Sequence, residues 1–432
     1  MNAGNNYIKL LEVKKSAYMV EYFFDVSANI RRFFNENLYL VAEYDIPISK
    51  VPDGYLRIPF VGNTIQLANL LNATLYIDVL DEDFYNCLSP IQSEYKKMYP
   101  DCSLDGNVVV ERLEKNFGYV KNQSAQLYTG GMDATATFIK HIDEKPVLVQ
   151  EYGAYRKHNV NEEFQGDKRA ETNYNSDRTA AIEFASQYSV LSHFIKSNYV
   201  KFFKMRECDV AFSQYLHDGV WHGIQHALAI MSIAAPVLYM ERIKQLYIAS
   251  SNYKERDIPC ASSPKTDNLI KFGETIVIHD GFEMKDEDKA RSIVRFNRET
   301  GKTVPLRVCS WNDGNCCNCE KCIRRMLQIN AEGGNPKNFG FAYDGTLYEK
   351  VKGFLYNNAH SLSHLNIVTW KATINRSIEN LDNVFDKDVV LFLKSFDFIK
   401  EQHNSLLRYY KKNFLKIIIK KAKKLIKQHL RG

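Results

Sequence analysis

Two hydrophobic rhythms divide this chain. Up to about residue 121, apolar or alternating runs at Leu38–Ile46, Tyr55–Val61 and Thr74–Leu80 predict strands, and Asn63–Leu71 has helical spacing. This reads as a separate α+β region over residues 1–121. From Asn122 onward strand-like and helix-like runs alternate, the sign of a mostly parallel, doubly wound α/β sheet with helices on both faces. Strands are expected at Ala125–Tyr128, Pro146–Gln150, Tyr199–Lys204, Gln245–Ser250 and Thr275–His279. Helices are expected from Gly131 to about Ile142, from Asp177 to Tyr188, from Trp221 toward Glu241, and from Lys285 to Arg298. Tyr155–Ser176 is polar and aperiodic, which fits an active-site flap or a plain surface loop. The domains read as 122–334, a helical C-terminal region at 335–407, and a basic amphipathic helix at 408–432.

Composition adds a class and a location. A 45% hydrophobic content with only 11 prolines argues for packed globular structure. Met1–Lys15 has no continuous apolar run, so no signal peptide is expected. Ala227–Met240 is too short to span a bilayer and contains Pro236, which predicts a buried helix and a cytoplasmic protein. The formal charge of +6 belongs to the tail: ten of the 57 Lys and Arg lie from Arg408 onward with no acid among them, leaving 47 bases against 51 acids elsewhere. There, Leu415, Ile418, Ile419, Ala422, Leu425 and Ile426 share a face, with Lys416, Lys420, Lys423, Lys424 and Lys427 around the rest. Such a helix fits an anionic membrane surface, making the protein peripheral there, or a protein partner. Nucleic acid fits less well, since few aromatic residues interleave.

Two stretches carry candidate chemistry. In Thr129-Gly130-Gly131-Met132-Asp133 an apolar run meets paired glycines and then a helix-compatible segment. Glycines let the backbone turn with positive φ and approach a ligand, and a helix N-terminus favours phosphate. Thr129 adds a hydroxyl and Asp133 a carboxylate able to hold Mg²⁺. Neither P-loop nor dinucleotide spacing is met, and an ordinary turn is the plain alternative. The second stretch, Cys309 to Cys322, holds five of nine cysteines. Cys309, Cys316, Cys319 and Cys322 give C-x6-C-x2-C-x2-C, suited to a tetrahedral Zn²⁺ site, with an iron–sulfur cluster as chemical rival and Cys317 as the spare. Elsewhere, Asp81-Glu82-Asp83 reads as a solvated turn or a cation site, and Cys87 and Cys102 as packing residues. His222 and His226 lack the glutamate of a zincin at Gly223, and read as core or helix-start histidines, with a nucleotide contact by His222 as the alternative. Arg291 and Arg295 suit surface ion pairs or phosphate, and Ser251-Asn252 ends a strand where open α/β sheets bind ligands.

Thr129-Gly130-Gly131-Met132-Asp133-Ala134 resembles the PP-loop of the ATP pyrophosphatase superfamily, Ser-Gly-Gly-x-Asp-Ser/Thr after the first strand of a HUP-like sheet. Thr129 keeps the first hydroxyl; Ala134 lacks the last, for which Thr135 is the nearby substitute. Together with the cysteine set and Asn318-Cys319-Glu320-Lys321-Cys322-Ile323-Arg324-Arg325-Met326-Leu327, the chain resembles 7-cyano-7-deazaguanine synthase and its relatives, whose first cysteine spacing is usually longer. The resemblance covers about Asn122–Gly334. It implies ATP-dependent adenylation of a carboxylate or amide of a small-molecule substrate, followed by attack of a nitrogen nucleophile. Thr129, Gly130, Gly131 and Thr135 would hold ATP phosphates, Asp133 would position Mg²⁺, and Zn²⁺ on the four cysteines would be structural. A scaffold that keeps the nucleotide site without turnover, or an enzyme modifying tRNA or a glycan precursor, are the alternatives.

Overall fold

The computed structural model describes residues 6–116, 121, 123–153, 168–309 and 314–429. They form two compact units, Met1–Lys285 and Asp286–Gly432. The first unit is α/β. Its elements in order are β1 (Tyr7–Lys15), β2 (Met19–Val26), β3 (Tyr39–Tyr44), α1 (Asp53–Leu56), α2 (Ile58–Leu71), β4 (Thr74–Asp81), α3 (Glu82–Met98), β5 (Asn107–Glu114), β6 (Ser124–Leu127), α4 (Met132–Lys140) and β7 (Val147–Tyr152). Then follow α5 (Lys168–Tyr188), β8 (Ser192–Ser197), α6 (Met205–Phe212), α7 (His226–Met240), β9 (Gln245–Ala249), α8 (Pro264–Asp267), β10 (Lys271–Phe272) and β11 (Thr275–Asp280).

One eleven-stranded sheet takes all the strands, in the order β10-β11-β9-β6-β7-β8-β3-β2-β1-β4-β5. β11, β9, β6, β7 and β8 are parallel to one another, and so are β1, β4 and β5. The two parallel blocks run in opposite directions and are joined through antiparallel β2 and β3. At the seam, Ala42, Glu43 and Tyr44 pair with Ser197, Lys196 and Ile195. Side chains lengthen it: Asn198 accepts from Val41 N and donates to Tyr39 O, while Asp45 accepts from Phe194 N and pairs with His193 Nδ1 at 3.0 Å. The sequence reading set residues 1–121 apart as an α+β region. In the structure their strands are continuous with those that follow, because backbone groups along β3 pair with β8.

Several local expectations are corrected. Tyr55–Val61 is helical, in α1 and the start of α2; an apolar run buried on all sides carries no period, and Pro59, in the first turn of α2, was the available signal. Tyr199–Lys204 is a turn with one isolated bridge, Phe34 to Phe203; its aromatic residues are apolar because Phe202 packs near Phe24 and Phe203 (ring centroids 6.3 and 5.2 Å). The strand lies just before it, in β8. β1, β2 and β5 were not foreseen. Asp81 is no solvated turn: fully buried, it caps α3 by accepting from Phe84 N and also accepts from Gly273 N and Asn116 Nδ2. Part of the polar stretch expected as flap or loop, from Lys168, is helix α5, and Tyr155–Asp167 lies outside the described residues.

Trp221–Met240 is the one helical stretch among the described residues long and apolar enough to cross a membrane by length and composition, and it is mostly buried. It begins with a π-helical turn at Trp221–Gln225 and packs as α7 against α2. As expected, α7 is a core helix. His226 Nδ1 meets Trp221 O at 3.0 Å, which fits the helix-start reading.

The second unit is helical: α9 (Asp286–Thr300), α10 (Glu320–Ala331), α11 (Leu347–Asn358), α12 (His364–Glu379), α13 (Lys387–Lys394) and α14 (Phe398–His429). Its core gathers around Trp370, fully buried, stacked on Phe354 at 5.8 Å and donating from Nε1 to Glu320 at 3.0 Å. Arg291 pairs with Asp288 at the surface and with buried Glu332, and Arg295 with exposed Glu299, so each arginine has a surface ion-pair partner. The boundary expected after residue 334 differs from the observed division before Asp286: the cysteine segment belongs with the C-terminal helices because α10 buries Ile323, Met326, Leu327 and Ile329 among them.

α2 and α7 approach closely at Gly62, where an added Cβ would stand 2.3 Å from both Cβ and Oγ of Ser232. Gly62→Ala is therefore expected to lower stability by roughly 1–3 kcal/mol, read as a fall in the urea midpoint. An unchanged midpoint would mean the α2–α7 contact has slack.

Candidate functional site

The glycine stretch stands where the sheet topology reverses. β6 lies between β9 and β7; the chain leaves it outward to β7 and β8, then returns to place β9 and β11 on its other side. In open α/β sheets, ligands bind at the carboxyl ends of the strands flanking such a point. The residues after β6 are Tyr128 to Gly131, followed at once by α4, so strand, bend and helix come in the expected order. Gly130 has φ +72°, a left-handed conformation that favours glycine. Gly131 is the extended N-cap of α4 and donates its amide to Thr129 Oγ1 at 3.4 Å. Thr129 is exposed, and Asp133 is half-buried in the first turn of α4. Thr129, Gly130, Gly131 and Asp133 therefore share one bend. Thr135 does not join them at the surface: it is fully buried beside the Tyr128 hydroxyl.

α4 is tied down at its far end. Asp280, the last residue of β11, accepts from Thr137 Oγ1 (2.9 Å) and Lys140 Nζ (2.8 Å), and His141 Nε2 lies 3.2 Å away. The His141 ring stacks on Tyr247 at 3.8 Å, and its Nδ1 meets Glu144 at 2.8 Å. Burial disfavours the Asp280 charge, yet the bonds from His141, Lys140 and Thr137 outweigh it and hold the carboxyl down at about 2. His141 shifts up: burial opposes its charge, but Asp280 and Glu144 prevail.

Sequence reasoning missed Glu151, near the carboxyl end of β7, next to β6. It shares a sheet face with its register partner Ile195. Both carboxyl oxygens are buried, with the Tyr199 hydroxyl beside them. Burial pushes its pKa well above the carboxylate range, opposed in part by a hydrogen bond from the Tyr199 hydroxyl. Tyr199 lies parallel to Trp221 (6.0 Å, 9°) and close over Gly153, where a Cβ would strike its ring at 2.2 Å. The available signal was an acid near the end of a strand that opens with Val147-Leu148-Val149. On the other side of β6, Ser250 is buried; its amide donates to Asp280 O and its hydroxyl to Asn252 O.

In the second unit, Cys309, Cys316, Cys319 and Cys322 are brought together, with all four sulfurs within 4.8 Å of one another. Asn315 shapes the segment: its Oδ1 accepts from Val308 N, and its Nδ2 donates to Leu306 O and Gly340 O. Gly314 (φ +82°) turns the chain back toward Cys316. Cys319 caps α10, its sulfur accepting from Cys322 N at 3.5 Å, and the sulfurs of Cys316 and Cys322 are 3.9 Å apart. Zn–S bonds of about 2.3 Å imply tetrahedral S–S edges of about 3.8 Å, so the four cysteines suit a single ion such as Zn²⁺. Hydrogen bonding from Cys322 draws the Cys319 thiol down to about 5, readying one thiolate, whereas the same bond raises Cys322. Cys317 is buried apart, pushed up to about 11 by desolvation, its Sγ near Asn315 O.

Compared with known proteins, the chain matches no family model, no curated protein and no solved structure.

Cys319→Ser is expected to lose most of the bound metal and to lower solubility, whereas Cys317→Ser should retain the metal, measured by elemental analysis of the purified proteins. Full stoichiometric metal in Cys319→Ser would remove that residue from the ligand set. The Asp280 cluster sets a pH window. Stabilisation from Asp280 is present above the ordinary value of 3.8 and is lost as pH falls through about 2. Stabilisation from His141 is present below 6.5 and is lost as pH rises through its raised value. Between these limits, Asp280→Asn should lose roughly 2 kcal/mol. Its unfolding should also vary less between pH 4 and 2; an unchanged acid limb would remove Asp280 from that role.

Proposed function

We propose that this protein is an ATP-dependent adenylating enzyme of the PP-loop class, similar to 7-cyano-7-deazaguanine synthase. The observation that carries the reading is the Thr129-Gly130-Gly131-x-Asp133 bend opening a helix at the switch point of a parallel sheet. In the proposed reaction a carboxylate or amide oxygen of the substrate attacks the α-phosphorus of ATP. The bond between the α-phosphorus and its bridging oxygen breaks, and pyrophosphate leaves. A nitrogen nucleophile then attacks the activated carbon and displaces AMP. Thr129, Gly130 and Gly131 would hold the departing pyrophosphate, and Asp133 would hold Mg²⁺, which when bound offsets phosphate charge. Zn²⁺ on the four cysteines would be structural, with every ligand position filled by protein and none left for water.

Ala134, where a second hydroxyl is usual in the motif, favours one other reading: a protein that binds ATP without turning it over. Calorimetry with ATP and Mg²⁺ followed by nucleotide analysis separates the two. The enzyme reading expects stoichiometric binding, weakened at least about tenfold (~1.4 kcal/mol) by Gly130→Val, and AMP with pyrophosphate on adding a cellular small-molecule fraction. Binding with no AMP supports the silent site. No binding to the natural chain overturns both.

A further inference from the structure

On the C-terminal helix, the rest of the second unit leaves Leu407 and Phe414 exposed. α14 is anchored over its first third. His360 N donates to Ser405 Oγ, Gln402 Nε2 donates to Leu362 O, and Arg408 donates to Tyr356 O while lying 3.8 Å over the Tyr356 ring. Among the described side chains, the last such contact is Tyr409 with the His360 ring at 4.9 Å. Helical backbone then continues from Tyr410 to His429, about 30 Å. Leu407 and Phe414 are 48% and 61% exposed. With Ile418 and Leu425 they fall at i, i+7, i+11 and i+18, one line along an α-helix. The exposed Leu407 and Phe414 thus stand in sequence register with the apolar positions of the tail. Exposed Tyr409 and Tyr410 stand at its start, and no acid follows Arg408.

We infer that α14 docks this protein on an anionic lipid bilayer, its apolar stripe entering the boundary between headgroups and acyl chains. Charge selects an anionic partner. The stripe selects lipid among the anionic partners, because phosphates of nucleic acid would engage the lysines and leave Leu407, Phe414, Ile418 and Leu425 wet. A helix lying in the interface buries such a stripe, keeps lysine ammonium groups at the headgroups and places tyrosines at the water boundary. Tyrosine suits that depth because one end of its ring is apolar and the other hydrogen-bonds.

Sedimentation of the full chain with vesicles of phosphatidylcholine, alone and mixed with phosphatidylserine, tests this. Pelleting with the mixed vesicles only, weakened by salt, is expected. Lys423, Lys424 and Lys427 changed together to Gln should weaken it at least about tenfold. Phe414→Ser, a change at an exposed position, should weaken it severalfold while leaving the unfolding midpoint unchanged. Failure to pellet, equal pelleting with neutral vesicles, or indifference to Phe414→Ser would each overturn the inference. So would tighter binding to duplex DNA or to an acidic protein than to the mixed vesicles.

Discussion

The pairing of β3 with β8 is the contact on which the first unit depends. Without it the N-terminal strands β1–β5 would end in an open edge at β3, and the five-stranded parallel block in an open edge at β8. Pairing Ala42–Tyr44 with Ile195–Ser197 gives each block a neighbour and satisfies backbone groups that would otherwise lie unpaired at an edge. The Asn198 and Asp45 bonds continue this pairing with side chains at both ends. α2 and α7 then cross the join, brought close by Gly62 opposite Ser232, and Tyr44 donates to Ile233 O from the sheet below.

Holding β6 in the middle of its block has a chemical result. A strand with parallel neighbours on both sides cannot shift easily, so the bend after it is presented from a fixed base. The far end of α4 is tied to β11 through Asp280, leaving the Thr129–Asp133 bend supported at both ends. A left-handed Gly130 can then direct backbone toward a ligand at little conformational loss on binding. The cysteine segment needs another kind of support. Among the described residues between α9 and α10 there is no regular element, and Asn315 with four converging sulfurs supplies what a hydrophobic core would otherwise provide.

What could be read from residues alone follows from how each pattern arises. The order strand, glycine bend, helix was legible because glycine pairs, β-branched runs and helical spacing are local signals. The four-cysteine set was legible because few arrangements other than a metal site call for such spacing. The join between blocks was not, since the partner of β3 is decided by tertiary pairing and not by anything near residue 42. Tyr55–Val61 misled because a segment buried on every side shows no period, and Tyr199–Lys204 because aromatic residues filling a core look like a strand. Glu151 escaped notice for a related reason: its burial beside Tyr199 is decided by neighbours in space.

The β3–β8 seam also bears on how the chain is made. Ser197 emerges from a ribosome roughly 150 residues after Ala42, or roughly 8 to 30 seconds at ordinary rates of synthesis. Until then β1 to β5 can assemble, but the outer margin of β3 has no neighbour and is free to recruit a foreign strand. Nascent chains arrested between these points are the ones a chaperone would need to shield, and slow codons placed there would lengthen the hazard.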